Sequence, residues 1–397
     1  MTKPPTKTLD HRHHLASLDG IRGLAILMVF FFHYYPRSAR NPIGLLSGLG
    51  WLGVDLFFTL SGFLITGILY DTVSQPNFFR NFYIRRGLRL LPVYFVMVGL
   101  VLCVSWFFGE RPNWWAVPFF LYGSNIVDNL QVGIGIGGHV DVGHLWSLAL
   151  EEQFYFFWPP VVFLLRSRRR IFWGCIAGSV FAILLRFVCA VPTVARNFPV
   201  IPYYQLPTRL DSLLLGGLLA MLVRGGKGYA FVKPLYLRLG IAAGLISIAL
   251  CALRAHTSYW NSQPMMLFGY FSAAVVFFCV IALSLLPSTW THGAGSYAPL
   301  RSLGRYSYSL YLWHQLPEKP FSWFTKTCEA MIPVPIVGGT LAFVLLFAFS
   351  LAFAVLSYRV IELPFLRLKR YFSYSDEQSS RHIHIDQVTL ARVESSN

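Results

Sequence analysis

The amino-acid sequence predicts an all-α fold, a polytopic membrane helix bundle of about ten transmembrane helices. Of its 397 residues, 55% are hydrophobic and only 13% are charged. The mean hydropathy is +0.54. Soluble globular domains carry about 25% charged residues, so the chain is too apolar for that class. Apolar runs of roughly 20 residues, the length that crosses a bilayer, recur along the chain.

Ten apolar runs are predicted to span the membrane: 20–35, 52–71, 91–108, 145–165, 171–190, 207–223, 237–254, 266–286, 303–323 and 337–358. The run 114–122 is short and contains Pro118, so we interpret it as a re-entrant or interfacial segment. No A-x-A-like cleavage site follows the first run, which is therefore expected to be retained. The six cysteines show no C-x-x-C spacing, and no metal site is predicted.

Three regions are predicted: a polar N-terminal tail (1–14), a membrane domain (15–370) and a polar, disordered C-terminal tail (371–397). With the N-terminus inside and ten crossings, 24 of the 33 lysines and arginines fall in inner segments. By the positive-inside rule this predicts both termini in the cytoplasm of a bacterial inner membrane. The net charge of +16 is thus explained by topology, and no nucleic-acid partner is expected.

The first predicted helix carries two ionisable side chains, Arg22 and His33 in IRGLAILMVFFFHYY. At the rise of an α-helix they lie roughly 16 Å apart. Ionisable residues inside membrane spans are uncommon and often functional. Histidine exchanges protons near neutral pH, so His33 is a candidate general base and Arg22 a source of positive charge. A histidine packed against a neighbouring helix is the structural alternative.

Carboxylates and further polar groups interrupt other predicted helices. Glu151 and Glu152 lie in HLWSLALEEQFYFFWPP, and unpaired carboxylates at that depth are unfavourable, so at least one should face a cavity or a cation. A helix-packing ion pair explains them equally well. Four other polar residues are candidates for substrate binding in a pocket that opens outward: Asp55, Arg209, Asp211 and His314.

An arginine cluster lies just before the third long run, in FYIRRGLRLLP, where the first turn of a helix is expected: Arg85, Arg86 and Arg89. Arginine forks match phosphate oxygens in a bidentate manner, so the cluster is a candidate site for a phosphorylated cytoplasmic ligand. Arginines that only set topology or contact lipid headgroups are an equal alternative.

Taken in order, seven segments resemble the acyltransferase-3 family of bacterial integral-membrane acyltransferases: SLDGIRGLAILMVFFFHYY, GVDLFFTLSGFLITG, RRGLRLLPVY, HLWSLALEEQFYFFWP, RLDSLLLGGLLA, YSYSLYLWH and YRVIELPF. The resemblance implies an essential pair, Arg22 and His33, and an inner R-x-x-R, Arg86 and Arg89, associated with acyl-CoA use. It also implies a set of recurrent polar positions: Asp55, Glu151, Glu152, Arg209, Asp211 and Glu362. A C-terminal SGNH domain, present in one branch, is not seen, so transfer is expected to finish in the membrane domain or on a separate protein.

The sequence therefore predicts a membrane O-acyltransferase that uses cytoplasmic acyl-CoA, expected to be acetyl-CoA, as donor. The expected acceptor is a hydroxyl of a glycan or another cell-surface molecule. His33 would be the base, Glu151 or Glu152 would orient its imidazole, and no permanently bound cofactor is expected. A transporter or flippase of lipid-linked sugars would instead show internal repeats or paired broken helices, and the sequence shows neither. A non-catalytic acyl-CoA-binding membrane protein would keep the inner arginines without needing His33.

Overall fold

The computed structural model describes residues 16–36, 42–130, 140–197, 201–226, 228, 232–257, 259–287, 289–332 and 334–372. The predicted N-terminal tail, 1–14, and residues 373–397 of the predicted C-terminal tail lie outside the described residues.

The described residues form helices and no strands. In the first half of the chain the α-helices are α1 Ala16–Tyr34, α2 Pro42–Ser47, α3 Leu52–Thr72, α4 Phe78–Phe107, α5 Val117–Phe120, α6 Ser124–Leu130, α7 Leu145–Leu165, α8 Arg168–Cys189 and α9 Pro192–Asn197. In the second half they are α10 Ile201–Tyr204, α11 Leu206–Val223, α12 Pro234–Ala255, α13 Tyr270–Ser284, α14 Trp290–Ser296, α15 Ala298–Trp313, α16 Glu318–Met331, α17 Pro335–Ser357 and α18 Leu363–Arg367. A π-helical segment, Tyr358–Glu362, joins α17 to α18.

Eight helices in the described part of the chain are long and apolar enough to cross a membrane, which confirms the all-α membrane bundle. They contain α1, α3, α4, α8, α11, α12, α13 and α17. Two of the predicted membrane spans are not among these eight helices. Helix α7 is 21 residues long but carries two carboxylates, and the run 303–323 is divided, because α15 ends at Trp313 and α16 begins at Glu318. The segment 114–122 forms only one 3₁₀ turn and the four-residue α5, too short to cross.

Close helix packing depends on glycines. A Cβ atom added at Gly20 of α1 would lie 2.0 Å from the carbonyl oxygen of Gly295, and one at Gly216 of α11 would lie 1.9 Å from that of Thr59 in α3. Backbones at this distance exclude any side chain, as is common where membrane helices contact each other. The glycines thus hold α1 against the end of α14 and α11 against α3.

Contacts along the helices set their directions and define two ends of the bundle. His33 in the last turn of α1 contacts His314 directly after α15, so these helices run parallel. Ser147 near the start of α7 contacts Tyr311 near the end of α15, so α7 runs the opposite way. We call the end with His33, His144 and His314 the histidine end. The arginine end is the other, defined by Arg85, Arg89, Arg301 and Arg305.

Candidate active site

A small cavity of about 60 Å³ lies between α1, α3, α4, α7 and α15. Its volume suits a few water molecules or a short acyl group. Its polar lining residues come from all five helices: Arg22, Ser61, Arg86, Arg89, Ser147, Glu151, Ser307, Tyr308 and Tyr311. We call it the central cavity.

A larger cavity of about 430 Å³ opens at the arginine end. Four arginines line it together with two carboxylates: Arg22, Arg89, Arg301, Arg305, Asp19 and Glu362. Arg22 and Arg89 belong to the walls of both this arginine cavity and the central cavity. The two cavities therefore meet at these guanidinium groups.

The predicted arginine cluster divides between two faces of α4. Arg86 and Arg89 line the central cavity, whereas Arg85 donates a hydrogen bond to the carbonyl of Phe372, 3.3 Å away. Helix α4 begins at Phe78, so these arginines lie in its third and fourth turns. The prediction from the sequence, which placed them in the first turn, is therefore wrong. The added turns move the cluster from the helix end toward the interior.

Glu151 and Glu152 lie with the arginines. Glu151 accepts a hydrogen bond of 2.8 Å from Ser61, and its charge interacts with Arg86 and Arg22. Glu152 also interacts with Arg86, whose guanidinium stacks 3.9 Å above the ring of Tyr155. The structure thus places Glu151 in the wall of the central cavity and gives both glutamates a cationic neighbour, Arg86. Their predicted role in orienting the imidazole of His33 stays a prediction.

Three histidine rings lie together at the histidine end. The ring centroids of His33 and His314 are 5.0 Å apart, and those of His314 and His144 are 5.2 Å apart. The Nδ1 atom of His33 lies 2.9 Å from the carbonyl oxygen of Val29. Because a carbonyl only accepts, Nδ1 carries the hydrogen, and Nε2 of the neutral ring is the basic nitrogen. His33 therefore has the tautomer that a general base requires.

The other two histidines are held by backbone carbonyls. His144 Nε2 donates to Leu312 over 3.0 Å, and His314 Nδ1 donates to Tyr311 over 2.6 Å. Their second ring nitrogens are buried without a hydrogen-bond partner among the described residues. Buried polar atoms are nearly always partnered, so these two nitrogens are available to a proton or a bound hydroxyl.

Tyr311 and Ser147 connect the central cavity to the histidines. Their hydroxyl oxygens lie within hydrogen-bond distance of each other and of the carbonyl oxygen of His144, which is 3.2 and 3.1 Å away, respectively. Because the two hydroxyls have only two hydrogens, at most two of these three contacts are hydrogen bonds at one time. The ring of Tyr311 also lies 5.4 Å from that of His314. Because both hydroxyls line the central cavity, that cavity ends where the histidine cluster begins.

Three of the residues predicted to bind substrate form buried ion pairs instead of lining the central cavity. Arg209 of α11 donates to Asp55 of α3 over 2.7 Å. Arg186 of α8 donates to both oxygens of Asp211 over 2.9 and 2.6 Å. All four side chains are fully buried in the helix packing. Substrate binding by these residues stays a prediction, and the contacts identify a role in holding α3, α8 and α11 together.

The sequence analysis did not select several residues that the structure brings to the site: Asp141, His144, Ser147, Arg301, Arg305, Tyr311 and Gln315. One signal was present. Ser147 follows His144 by three residues, and Tyr311 precedes His314 by three, a spacing that places each hydroxyl on the same helix face as its histidine. The arginines of α15 gave no comparable signal, because basic residues at a helix start are typical of any membrane protein.

Sequence comparison places the chain among known proteins. The family model described as an acyltransferase domain, the acyltransferase-3 model, matches residues 15–359. The peptidoglycan O-acetyltransferase OatA of Listeria monocytogenes is 31% identical over 382 residues, covering 91% of this chain and 57% of the relative. The putative peptidoglycan O-acetyltransferase YrhL of Bacillus subtilis is 30% identical, covering 93% and 57%. The chain thus spans somewhat more than half the length of these relatives. No solved structure matches it.

Proposed function

This chain belongs to the acyltransferase-3 family, and from that membership we propose that it transfers an acetyl group from acetyl-CoA to a hydroxyl of a cell-surface glycan. Peptidoglycan is the acceptor in the names of two relatives and is the first acceptor to test. One observation carries the proposal: two cavities that share Arg22 and Arg89 lead from an arginine-lined opening to a cluster of histidines.

The arginine cavity suits the phosphorylated end of the donor. Three of its arginines, Arg89, Arg301 and Arg305, come from two helices, and guanidinium forks bind phosphate oxygens strongly. Asp19 and Glu362 reduce the net positive charge, which leaves the cavity able to release its ligand. Because the arginine end also contains most of the basic loop residues, we place it in the cytoplasm, where acetyl-CoA is available.

The acetyl thioester would then lie in the central cavity, with the acceptor approaching from the histidine end. His33 Nε2 takes the proton of the acceptor hydroxyl while its oxygen attacks the thioester carbonyl carbon. One of the hydroxyls of Ser147 and Tyr311 would turn from the carbonyl of His144 to the thioester oxygen and stabilise the developing oxyanion. The carbon–sulfur bond then breaks, the acetyl group stays on the acceptor oxygen, and the thiolate of CoA leaves through the arginine cavity.

The proposal is tested by measuring transfer of labelled acetyl from acetyl-CoA to purified peptidoglycan fragments in lipid nanodiscs. We expect His33→Asn to lower the rate by about 10² to 10⁴, as for loss of a general base. Asparagine keeps an amide that can bond to Val29 but has no basic nitrogen. The control is His256→Asn, because His256 is exposed and lies in the left-handed conformation that asparagine tolerates.

Two results would contradict the proposal. Transfer by His33→Asn at the rate of the His256→Asn control would remove His33 as the base. Tight acetyl-CoA binding by the unaltered protein, with no transfer to any hydroxyl acceptor, would instead identify a donor-binding membrane protein without catalysis.

A further inference from the structure

An acid pair lies beside the histidines. Asp141 immediately precedes α7, and Glu318 is the first residue of α16. The oxygens of Asp141 accept hydrogen bonds from the Gly143 amide over 2.7 Å and from Gln315 Nε2 over 3.0 Å. The Asp141 and Glu318 side chains also hydrogen-bond to each other. Because a carboxylate only accepts, one of the two must be protonated in that contact.

The proton resides on Glu318. The hydrogen bond with Asp141 raises the pKa of Glu318 to about 7, and burial adds to this shift. Burial also raises the pKa of Asp141, but the bonds from Glu318 and Gly143 and the charges of His144 and His33 outweigh it, so the pKa of Asp141 is lowered. The pair therefore carries one negative charge below about pH 7 and two above it.

Gln315 connects this pair to the histidines. Its amide nitrogen donates to Asp141, while its Oε1 atom is buried and has no hydrogen-bond partner in the described part of the chain. The facing group is His144, whose Nδ1 is also buried and unpartnered there. A proton on Nδ1 would supply the donor that Oε1 lacks. Burial lowers the pKa of His144 to about 4, and the charge of Asp141 opposes that shift. Both buried atoms are partnered only when Nδ1 of His144 is protonated.

We propose that Asp141, held by Gln315 and paired with Glu318, is the positioning carboxylate that stabilises the protonated histidine cluster while His33 acts as base. This inference rests on the proposed function and assigns to Asp141 the role that the sequence suggested for Glu151 or Glu152. Glu151 accepts a hydrogen bond from Ser61 and its charge interacts with arginines, whereas Asp141 accepts a hydrogen bond from Gln315 and its charge interacts with His144 and His33. An anion near an imidazole favours its charged form.

Charged and titratable groups surround the acid pair on every packed element: His33 and Tyr34 of α1, Asp128 of α6, His144, Tyr204 of α10 and Lys319 of α16. Of these, only the histidines and Lys319 can carry positive charge. Glu318 and Asp128, each with a pKa raised to about 7, are the neighbouring carboxyl groups whose charge changes near neutral pH, and of the two Glu318 is the one hydrogen-bonded to Asp141.

Two measurements on the full chain in nanodiscs test the proposal. The first is the pH profile of acetyl transfer: we expect a step near pH 7 in the unaltered protein, no such step in Glu318→Gln, and a rate about tenfold lower in Asp141→Asn at neutral pH. The second is modification of His33 by diethyl pyrocarbonate, which attacks the unprotonated imidazole, followed by mass spectrometry. The midpoint of labelling should fall by about one pH unit in Asp141→Asn.

Glu329→Gln, which removes another carboxylate of α16, is the matched control and should change neither measurement. An Asp141→Asn variant with the parent's pH profile and labelling midpoint would overturn the inference. Absence of acetyl transfer in the unaltered protein, with the midpoint still shifted by Asp141→Asn, would refute the proposed function but support the coupling of Asp141 to His33. If Asp141→Asn fails to fold, the pH profile of Glu318→Gln tests the proposal instead. Loss of the step near pH 7 in that variant supports the proposal, and persistence of the step overturns it.

Discussion

Arg89 differs from its neighbours in α4 because its guanidinium belongs to the walls of both cavities. Arg85 is bonded to the backbone of Phe372, and Arg86 stacks on Tyr155 in the interior. A bound polyphosphate would therefore meet Arg89 before it could meet either of the others. We therefore expect the donor-binding role that sequence spacing assigned evenly to the three arginines of α4 to belong mainly to Arg89.

We expect Arg89→Ala to weaken acetyl-CoA binding by about 1.5 to 3 kcal/mol, the usual loss for a hydrogen bond to a charged group. The effect should shrink as salt is raised, because partly exposed phosphate contacts are screened. Titration of the purified protein at low and high salt measures both. Arg169→Ala, which removes an exposed arginine from α8, is the control. Equal binding by the two variants would remove Arg89 from the donor site.

For individual residues, the sequence showed which ionisable side chains lie in apolar segments, but it did not show which residues they form hydrogen bonds with. The Asp55–Arg209 bond joins residues 154 apart in the chain, and the Gln315–Asp141 bond joins residues 174 apart. Such pairings depend on which helices pack side by side. Hydropathy gives each helix by itself, so the sequence predicted Asp55 and Arg209 as pocket residues without indicating that they pair with each other.

Among the helices, sequence prediction succeeded where a run was uniformly apolar. It failed at 303–323, where hydropathy continues across the end of α15 while Pro317 and Glu318 start a separate helix. That division matters for the site, because it places Gln315 in the turn and Glu318 at the start of α16. The acid pair follows from the break that the hydropathy pattern concealed.

The close contact between α1 and α14 gives a prediction about helix packing. Gly20→Ala should destabilise the protein by about 1 to 3 kcal/mol, since its Cβ would lie 2.0 Å from the Gly295 carbonyl oxygen and the helices must separate. Gly99→Ala in α4 is the control, because a Cβ there has nothing within 4 Å. Thermal unfolding in detergent compares the two variants. An unfolding temperature for Gly20→Ala at or above that of Gly99→Ala would contradict the tight contact.

For the whole molecule, the separation of the arginine end from the histidine end predicts how the protein is oriented in the membrane, with the arginine end in the cytoplasm. In a variant without native cysteines, a cysteine at Arg169 should react with membrane-impermeant maleimide only after the membrane is opened, and one at Arg111 should react in intact cells. Both positions are exposed, and they lie at opposite ends of the bundle. The reverse pattern would exchange the donor and acceptor sides of the proposed reaction.

The buried ion pairs also bear on how the chain is inserted during its synthesis. Helices α3 and α8 leave the ribosome before α11, so Asp55 and Arg186 are already in the membrane when Arg209 and Asp211 arrive. A lone α11 would bring two charges into lipid, which is strongly unfavourable. We therefore expect α11 to enter the bilayer laterally against its two earlier partners, so that the order of the helices in the chain is also the order in which their charges become neutralised.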